Sequence, residues 1–242
     1  MELDTYGLWG ETMAAEIQIV VPAWNEGPRI AQVLETLCTY PQKKHIRVVD
    51  DGSTDDTAAT ARQFPVRVLS MGQNYGKGAA LQRGLEAGRS SPYWLFLDAD
   101  LRGLNHHHID QLLEPLYRSA DVGMAVGTLT GSSVQVNLAQ RWFGLLNGER
   151  ALAGFFVDQL PDLSWSRFGV EVFLSRLAAA RSIPVEKPIL KQLTHVTKEE
   201  KYGWPAGLRC RLQMYRECLY SLTNWKKYDV SVKASIDSSG HH

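Results

Sequence analysis

Short apolar runs alternate with segments of helical spacing through the first half of the chain. Ile17–Val21, Ile46–Asp50, Val66–Leu69, Tyr93–Asp98 and Val122–Val126 are rich in β-branched and aromatic residues and read as strands. Between them, Arg29–Leu37, Asp55–Gln63, Lys77–Gly88 and His107–Arg118 carry the pattern of helices. This alternation predicts an α/β fold with a mostly parallel sheet and helical crossovers on its flanks. After Gly127 the rhythm changes to a Gly/Ser-rich loop, a helix over Leu138–Leu152, a loop with Pro161, a helix over Val170–Ala180 and a strand over Val185–Leu190. A last helix is expected over Leu208–Leu222, with Leu208, Leu212, Tyr215, Leu219 and Leu222 on one face and Arg209 and Arg216 beside it. A basic amphipathic helix of this kind fits packing on the domain, on a second copy as a homodimer, or against an anionic membrane, and packing is the preferred expectation.

Composition narrows the classes. The 242 residues suffice for one sizeable core, and 44% hydrophobic content is ordinary for a globular protein. With 26 basic and 26 acidic residues there is no global field to attract a polyanion, so no nucleic-acid partner is expected. Cys38, Cys210 and Cys218 form no C-x-x-C pair and leave one thiol over, which suggests a reducing compartment. Glu2, Asp4 and Glu11 leave no basic leader, and no apolar run reaches the length of a membrane span. A cytoplasmic location is expected, with peripheral attachment at the inner face of the membrane as the variant. Ser238-Ser239-Gly240-His241-His242 reads as an affinity-tag remnant and is set aside.

The chemistry gathers where strands end. Tyr93-Trp94-Leu95-Phe96-Leu97 runs into Asp98-Ala99-Asp100, which places two carboxylates at the carboxyl edge of the sheet, where α/β proteins bind ligands. Oxygen donors of this kind suit Mg2+ or Mn2+, which typically bridge to substrate phosphates. An isolated Asp-x-Asp is more often a pair of solvated loop acids, so the neighbouring strand ends matter. The first strand exits into Pro22-Ala23-Trp24-Asn25-Glu26. The second exits into Asp50-Asp51-Gly52-Ser53-Thr54, with a helix cap expected at Ser53 or Thr54. The third leads to Asn74-Tyr75-Gly76-Lys77-Gly78, a glycine-flanked lysine opening a helix, which is a weak phosphate signal on its own. His106-His107-His108 looks like a ligand cluster, but consecutive helical residues diverge by about 100°, so a solvated helix start is preferred.

Taken together in this order and spacing, these motifs resemble family-2 type glycosyltransferases of the GT-A fold, over roughly residues 16 to 200. Within that group the chain is similar to polyprenyl- and dolichyl-phosphate sugar transferases and to glucosyl-3-phosphoglycerate synthases. The second likeness rests on Gly148-Glu149-Arg150-Ala151-Leu152, Phe168-Gly169-Val170-Glu171-Val172 and His195. The resemblance implies a Rossmann-like domain over 16–200, with a nucleotide-sugar half to 127 and an acceptor half beyond. Residues 1–15 form an extension, 201–235 a helical segment and 236–242 a tail. It further implies that Pro22, Ala23, Asn25, Glu26, Asp51, Lys77, Asp98 and Ala99 bind a UDP- or GDP-sugar. Asp100, with His195 and Asp98, would hold the metal, and Asp100 and Glu171 would act in catalysis.

Departures from the resemblance fall on the acceptor side. The phosphoglycerate enzymes hold their acid with a Gly-Arg-x-Thr loop, where this chain has Gly127-Thr128-Leu129-Thr130, and with an arginine two residues before the histidine, where it has Leu193. Arg141, Arg150, Lys191 and Lys198 remain as cations for another phosphate, and Glu149 and Glu171 as candidate bases for a hydroxyl acceptor. The acceptor itself is open: a polyprenyl phosphate, a small phosphorylated acid or a hydroxyl compound. Two other classes stay in view. A sugar-phosphate nucleotidyltransferase would carry a glycine-rich segment with Arg and Lys after the first strand, and a nucleotide-sugar binding protein would lack turnover.

Overall fold

The computed structural model of the chain describes residues 16–42, 44–88, 90–130, 147–196 and 204–229. Strands β1 (Ile17–Ala23), β2 (Lys44–Asp50), β3 (Arg67–Ser70), β4 (Tyr93–Phe96), β6 (Met124–Val126), β8 (Arg150–Ala153) and β9 (Val185–Glu186) form one sheet in the order β3-β2-β1-β4-β8-β6-β9. The left half is parallel: β1 pairs with β2 and β4, and β2 with β3. All seven residues of β1 are buried, because helices cover both faces. Ile17, Ile19 and Val21 join one apolar cluster with the helices α1 (Gly27–Thr39) and α4 (His106–Arg118), while Val20 joins the other with Leu81 and Phe173. The helices α2 (Thr57–Ala61) and α3 (Lys77–Glu86) complete the alternating half.

Beyond β4 the expected pattern needs correction. Arg150–Leu152, read as the end of a helix, is strand β8, antiparallel to both β4 and β6. Alanine and leucine favour helix, but pairing along both edges and complete burial of all four residues override that preference. The rest of the expected Leu138–Leu152 helix, up to 146, lies outside the described residues. The single strand expected over Val185–Leu190 is two, β9 and β10 (Ile189–Lys191), in different sheets. Pro188 lies between them and has no N–H to continue a ladder. Strand β10 pairs with β7 (Thr128–Thr130), and β11 (Thr194–His195) pairs antiparallel with β5 (Leu101–Arg102).

Two helix starts also differ from expectation. Helix α2 begins at Thr57, and neither Ser53 nor Thr54 caps it; Ser53 Oγ accepts the Asn25 N–H at 2.9 Å. Helix α4 begins at His106, but His108 is buried rather than solvated. Its N–H donates to Asn105 Oδ1 at 3.1 Å, its Nδ1 accepts the Asn105 N–H at 3.3 Å, and Nε2 lies 2.8 Å from Lys191 O. His108 is thus a helix cap and a tie to β10, while His106 meets Thr36 and Thr39 of α1 and His107 is exposed.

After β8 come the short helix α5 (Gly154–Val157), a 3-10 segment Ser164–Gly169, and α6 (Val170–Ala180). The long helix α7 (Trp204–Tyr228) packs on that 3-10 segment and α6. Its inward residues include Cys218, Ser221, Trp225 and Tyr228, with Tyr228 stacked on Trp165 at 3.9 Å between ring centroids. Leu208, Leu212 and Leu219 are 43%, 55% and 58% exposed, so the leucine face is not the packing face. No helix among the described residues is long and apolar enough to cross a membrane.

Candidate active site

A cavity of about 220 Å³ opens at the carboxyl edge of β1, β2 and β4. Pro22, Ala23, Glu26, Asp51, Lys77, Asp98, Ala99, Asp100, Glu171 and His195 line it, as do Trp24, Asn74, Phe168, Val196, Met214 and Cys218. Ten of the eleven residues singled out in the sequence thus meet at one opening. Asn25 is the exception. Its side-chain oxygen accepts the Thr54 N–H at 2.8 Å and closes the turn between the first two strand ends.

The strand ends are held by their own carboxylates. Asp50 Oδ1 accepts the Ser53 N–H at 3.0 Å. Asp51, 3% exposed, accepts N–H bonds from Tyr75 and Gly76, each at 2.8 Å, and so clamps the loop before α3 to the end of β2. Burial pushes its carboxyl up, against the lowering pull of those two N–H groups. Gly76 has φ +99, and a Cβ there would press on the backbone of Arg167. Glu26 Oε2 pairs with Arg29 at 3.0 Å, and the Glu26 N–H donates to Thr57 Oγ1 at 2.8 Å.

Lys77 begins α3 and reaches into the cavity between two acids. Its Nζ lies 2.5 Å from Asp98 Oδ1 and 2.6 Å from Glu171 Oε1, with the side chain 12% exposed. Burial pushes the ammonium pKa down, but Asp98 and Glu171 outweigh it and hold the group above the ordinary lysine value. Gly148, just before β8, makes this arrangement possible. A Cβ at that position would collide with both the Asp98 carboxylate and the Lys77 ammonium.

The second cluster is brought together by the smallest sheet. Pairing of β5 with β11 sets His195 opposite Leu101, the residue after Asp100. His195 Nδ1 consequently lies 3.2 Å from Asp100 Oδ1, and Nε2 lies 3.2 Å from Glu149 Oε1. Burial lowers the imidazole pKa, but Glu149 and Asp100 raise it well above the usual histidine value. Ligand atoms of Asp98, Asp100 and His195 all lie within 4.8 Å of one another.

Two expected roles change on this geometry. Glu149 is 0% exposed and does not line the cavity, so it is not a base for a bound hydroxyl. Arg150, 1% exposed, is a structural cation: its guanidinium donates to Asn147 O at 3.1 Å and Ser175 Oγ at 3.0 Å. Burial pushes its pKa down to about 10, so it stays charged at neutral pH. Leu193 is 0% exposed in the apolar cluster beneath the site. Lys191 is exposed on β10, while Arg141 and Lys198 lie outside the described residues. Cys218 is a neutral part of the wall, because burial pushes its thiol up to about 12.

Sequence reading missed Gly148 as a spacing device, although it lay in a noted stretch, and it missed the α7 contribution of Met214 and Cys218. No local pattern marks either.

Comparison with known proteins bears on this geometry. A family model described as Glycosyl transferase family 2 matches residues 18–164. A dodecaprenyl-phosphate galacturonate synthase of Rhizobium johnstonii is 34% identical over 31% of this chain and 25% of its own. A dolichyl-phosphate beta-glucosyltransferase of Dictyostelium discoideum is 27% identical over 46% of this chain and 39% of its own. The chain thus spans between 25% and 39% of the length of these two curated relatives. Glucosyl-3-phosphoglycerate synthase of Mycobacterium tuberculosis, solved with Mn2+, UDP and glucosyl-3-phosphoglycerate, superposes with a TM-score of 0.72. It is 24% identical, over 87% of this chain and 80% of that one, a likeness of fold. The same enzyme with Mg2+ and UDP gives 0.72 at 25% identity, over 87% and 79%.

Proposed function

This chain belongs to glycosyl transferase family 2, and from that premise we propose that it moves a sugar from a nucleoside diphosphate sugar, UDP- or GDP-linked, to a polyprenyl phosphate. The observation that carries the reading is the meeting of Asp98, Asp100 and His195 around one point at the mouth of the cavity. The donor set fits Mg2+ or Mn2+. Adjacent ligands of an octahedral cation at ~2.1 Å stand about 3 Å apart, and Asp100 Oδ1 and His195 Nδ1 are 3.2 Å apart. Neighbours of this fold were solved with Mn2+ or Mg2+ and UDP, which supports the same pairing here.

Pro22, Ala23, Glu26 and Asp51 frame the nucleoside in this reading, with Ala99 and Asp98 toward the ribose and donor sugar. Asp100 and His195, with Asp98, would hold a divalent cation, which would supply Lewis-acid stabilisation of the leaving diphosphate. Lys77 sets a second positive charge next to that diphosphate, and Glu171 turns its carboxylate toward the sugar hydroxyls. An ionised phosphate acceptor is itself the nucleophile and needs no general base. Enclosure of Glu149 away from the cavity agrees with that.

The choice of acceptor rests on what the wall lacks. Among the described residues lining the cavity, the cations are Lys77 and His195, and both already face carboxylates. Thr128 and the buried Leu193 stand where related phosphoglycerate enzymes place arginines. Trp24, Phe168, Val196, Met214 and Cys218 supply an apolar side instead. Exposed Leu208, Leu212 and Leu219, together with exposed Arg209, Arg216, Lys226 and Lys227, suit α7 to the anionic cytoplasmic leaflet.

The test is transfer of labelled sugar from UDP- and GDP-donors to polyprenyl phosphate in anionic vesicles with Mn2+. Lipid-linked sugar and a nucleoside diphosphate are the expected products, reduced more than about tenfold by Asp100→Ala. Full metal-dependent activity in that variant overturns the site assignment, and pyrophosphate release overturns glycosyl transfer in favour of nucleotidyl transfer. Failure to co-sediment with anionic vesicles removes the membrane role, and a stable dimer would assign the leucine face to a second copy.

A further inference from the structure

We propose that Glu149 is a positioning residue that fixes the tautomer and orientation of His195 for metal binding, an inference that rests on the reading of Asp100 and His195 as ligands. Glu149, the residue that leads into β8, is fully buried, and its carboxylate oxygens have no partner among the described side chains other than the His195 ring beside them. A buried carboxylate with so few partners is costly, so its retention calls for a charge nearby. The buried Arg150 guanidinium supplies one such charge, and the His195 ring, whose Nε2 lies 3.2 Å from Glu149 Oε1, is the other and the one in direct contact. On the opposite edge of the same ring, Nδ1 faces Asp100 Oδ1 at 3.2 Å. Glu149 therefore selects the form with the proton on Nε2, which leaves the Nδ1 lone pair aimed at the point shared with Asp100 and Asp98.

Glu149 cannot itself replace a ligand or a base. It does not line the cavity, and it is not among the three residues whose ligand atoms cluster there. Its backbone is fixed on two sides: β8 pairs with β4 and β6, and Glu149 O accepts the Gly127 N–H at 2.9 Å. The carboxylate is thus delivered to the back of the imidazole by the residue that enters β8, held by its bond to Gly127.

The experiment measures Mn2+ affinity of the full chain without nucleotide, by loss of the electron paramagnetic resonance signal of free Mn2+. Glu149→Gln is expected to bind Mn2+ about 10- to 100-fold more weakly. In a His195→Ala background the same change is expected to add no further loss. Thermal unfolding in EDTA checks that each variant folds; should Glu149→Gln lose cooperative unfolding, Glu149→Asp provides the comparison, with a smaller loss expected. Affinity within twofold of the parent, or an equal loss in both backgrounds, overturns the role of Glu149 while leaving the metal site standing. Unchanged affinity in both Asp100→Ala and His195→Ala overturns the metal site itself, and this inference with it.

Discussion

Arg167 and Glu217 tie the C-terminal helix to the loop that precedes Lys77. Arg167 Nε donates to Glu217 Oε1 at 3.0 Å, and its other nitrogens donate to Tyr75 O at 3.0 Å and Asn74 Oδ1 at 3.3 Å. Glu217 Oε2 also accepts the Phe168 N–H at 3.2 Å. Arg167 sits at φ 48, a conformation unfavourable for a residue with a Cβ, so these contacts hold strained backbone in place. Glu217→Ala is expected to cost about 1–2 kcal/mol in urea unfolding, through the loss of three bonds to a charged group, from Arg167, Phe168 and Gln213. Nucleotide binding, followed by calorimetry with UDP and GDP, should weaken as well, because Asn74 lines the cavity.

Gly148→Ala tests the spacing of the charged cluster. The added methyl would collide with Asp98 and Lys77, whereas a Cβ at Gly72 meets nothing within 4 Å. Overpacking at Gly148 is expected to cost about 1–3 kcal/mol and to depress transfer activity at least about tenfold. Gly72→Ala should stay within about 0.5 kcal/mol of the parent. Denaturant titration and initial rates of both variants provide the check.

Lys77→Met would leave Asp98 and Glu171 without their shared cation. Removing one partner from a buried pair costs about 3–5 kcal/mol, and unfolding midpoints should fall accordingly. Adding Glu171→Gln is expected to restore part of the stability, since one unpaired charge is removed, but none of the activity.

Stability and metal binding should respond oppositely to pH. The folded-state pKa of His195 lies well above the ordinary 6.5. In EDTA its stabilising contribution is fully present below 6.5 and is lost as pH rises through the folded value. Mn2+ needs the unprotonated ring, so its affinity should rise over that same upper range. Thermal unfolding with and without Mn2+ from pH 6 to 9 measures both slopes, and His195→Ala should flatten them.

Legibility in the sequence followed range of interaction. Strands β1, β2 and β4 and the Asp98-Ala99-Asp100 run were readable because burial on both sheet faces writes itself into local apolar runs. Strand β8 was not, since its Ala-Leu composition suits a helix and only pairing with two distant strands decides otherwise. The outward turn of the α7 leucines was hidden for a related reason: the inward face is built from Cys218, Ser221 and aromatics that fit a particular groove. Lys77 was read as a weak phosphate signal, and its place between Asp98 and Glu171 depends on a residue 94 positions away. His195 was found by resemblance, but its delivery to Asp100 rests on a two-residue pairing of β11 with β5 that no periodicity announces.

The cavity draws its two sides from parts of the chain with separate structural duties. Pro22, Asp51 and Asp98 stand on the sheet edge with Lys77 at the start of α3, while Met214 and Cys218 come from a helix laid on the 3-10 segment and α6. Under the proposed function, substitutions at Met214 and Cys218 reshape the acceptor wall without touching the core strands. On the same reading α7 is an exchangeable cassette, and a graft of 204–228 between related chains that keeps Glu217 is a route to new acceptor preferences. The Arg167–Glu217 tie marks the joint at which such a graft has to fit.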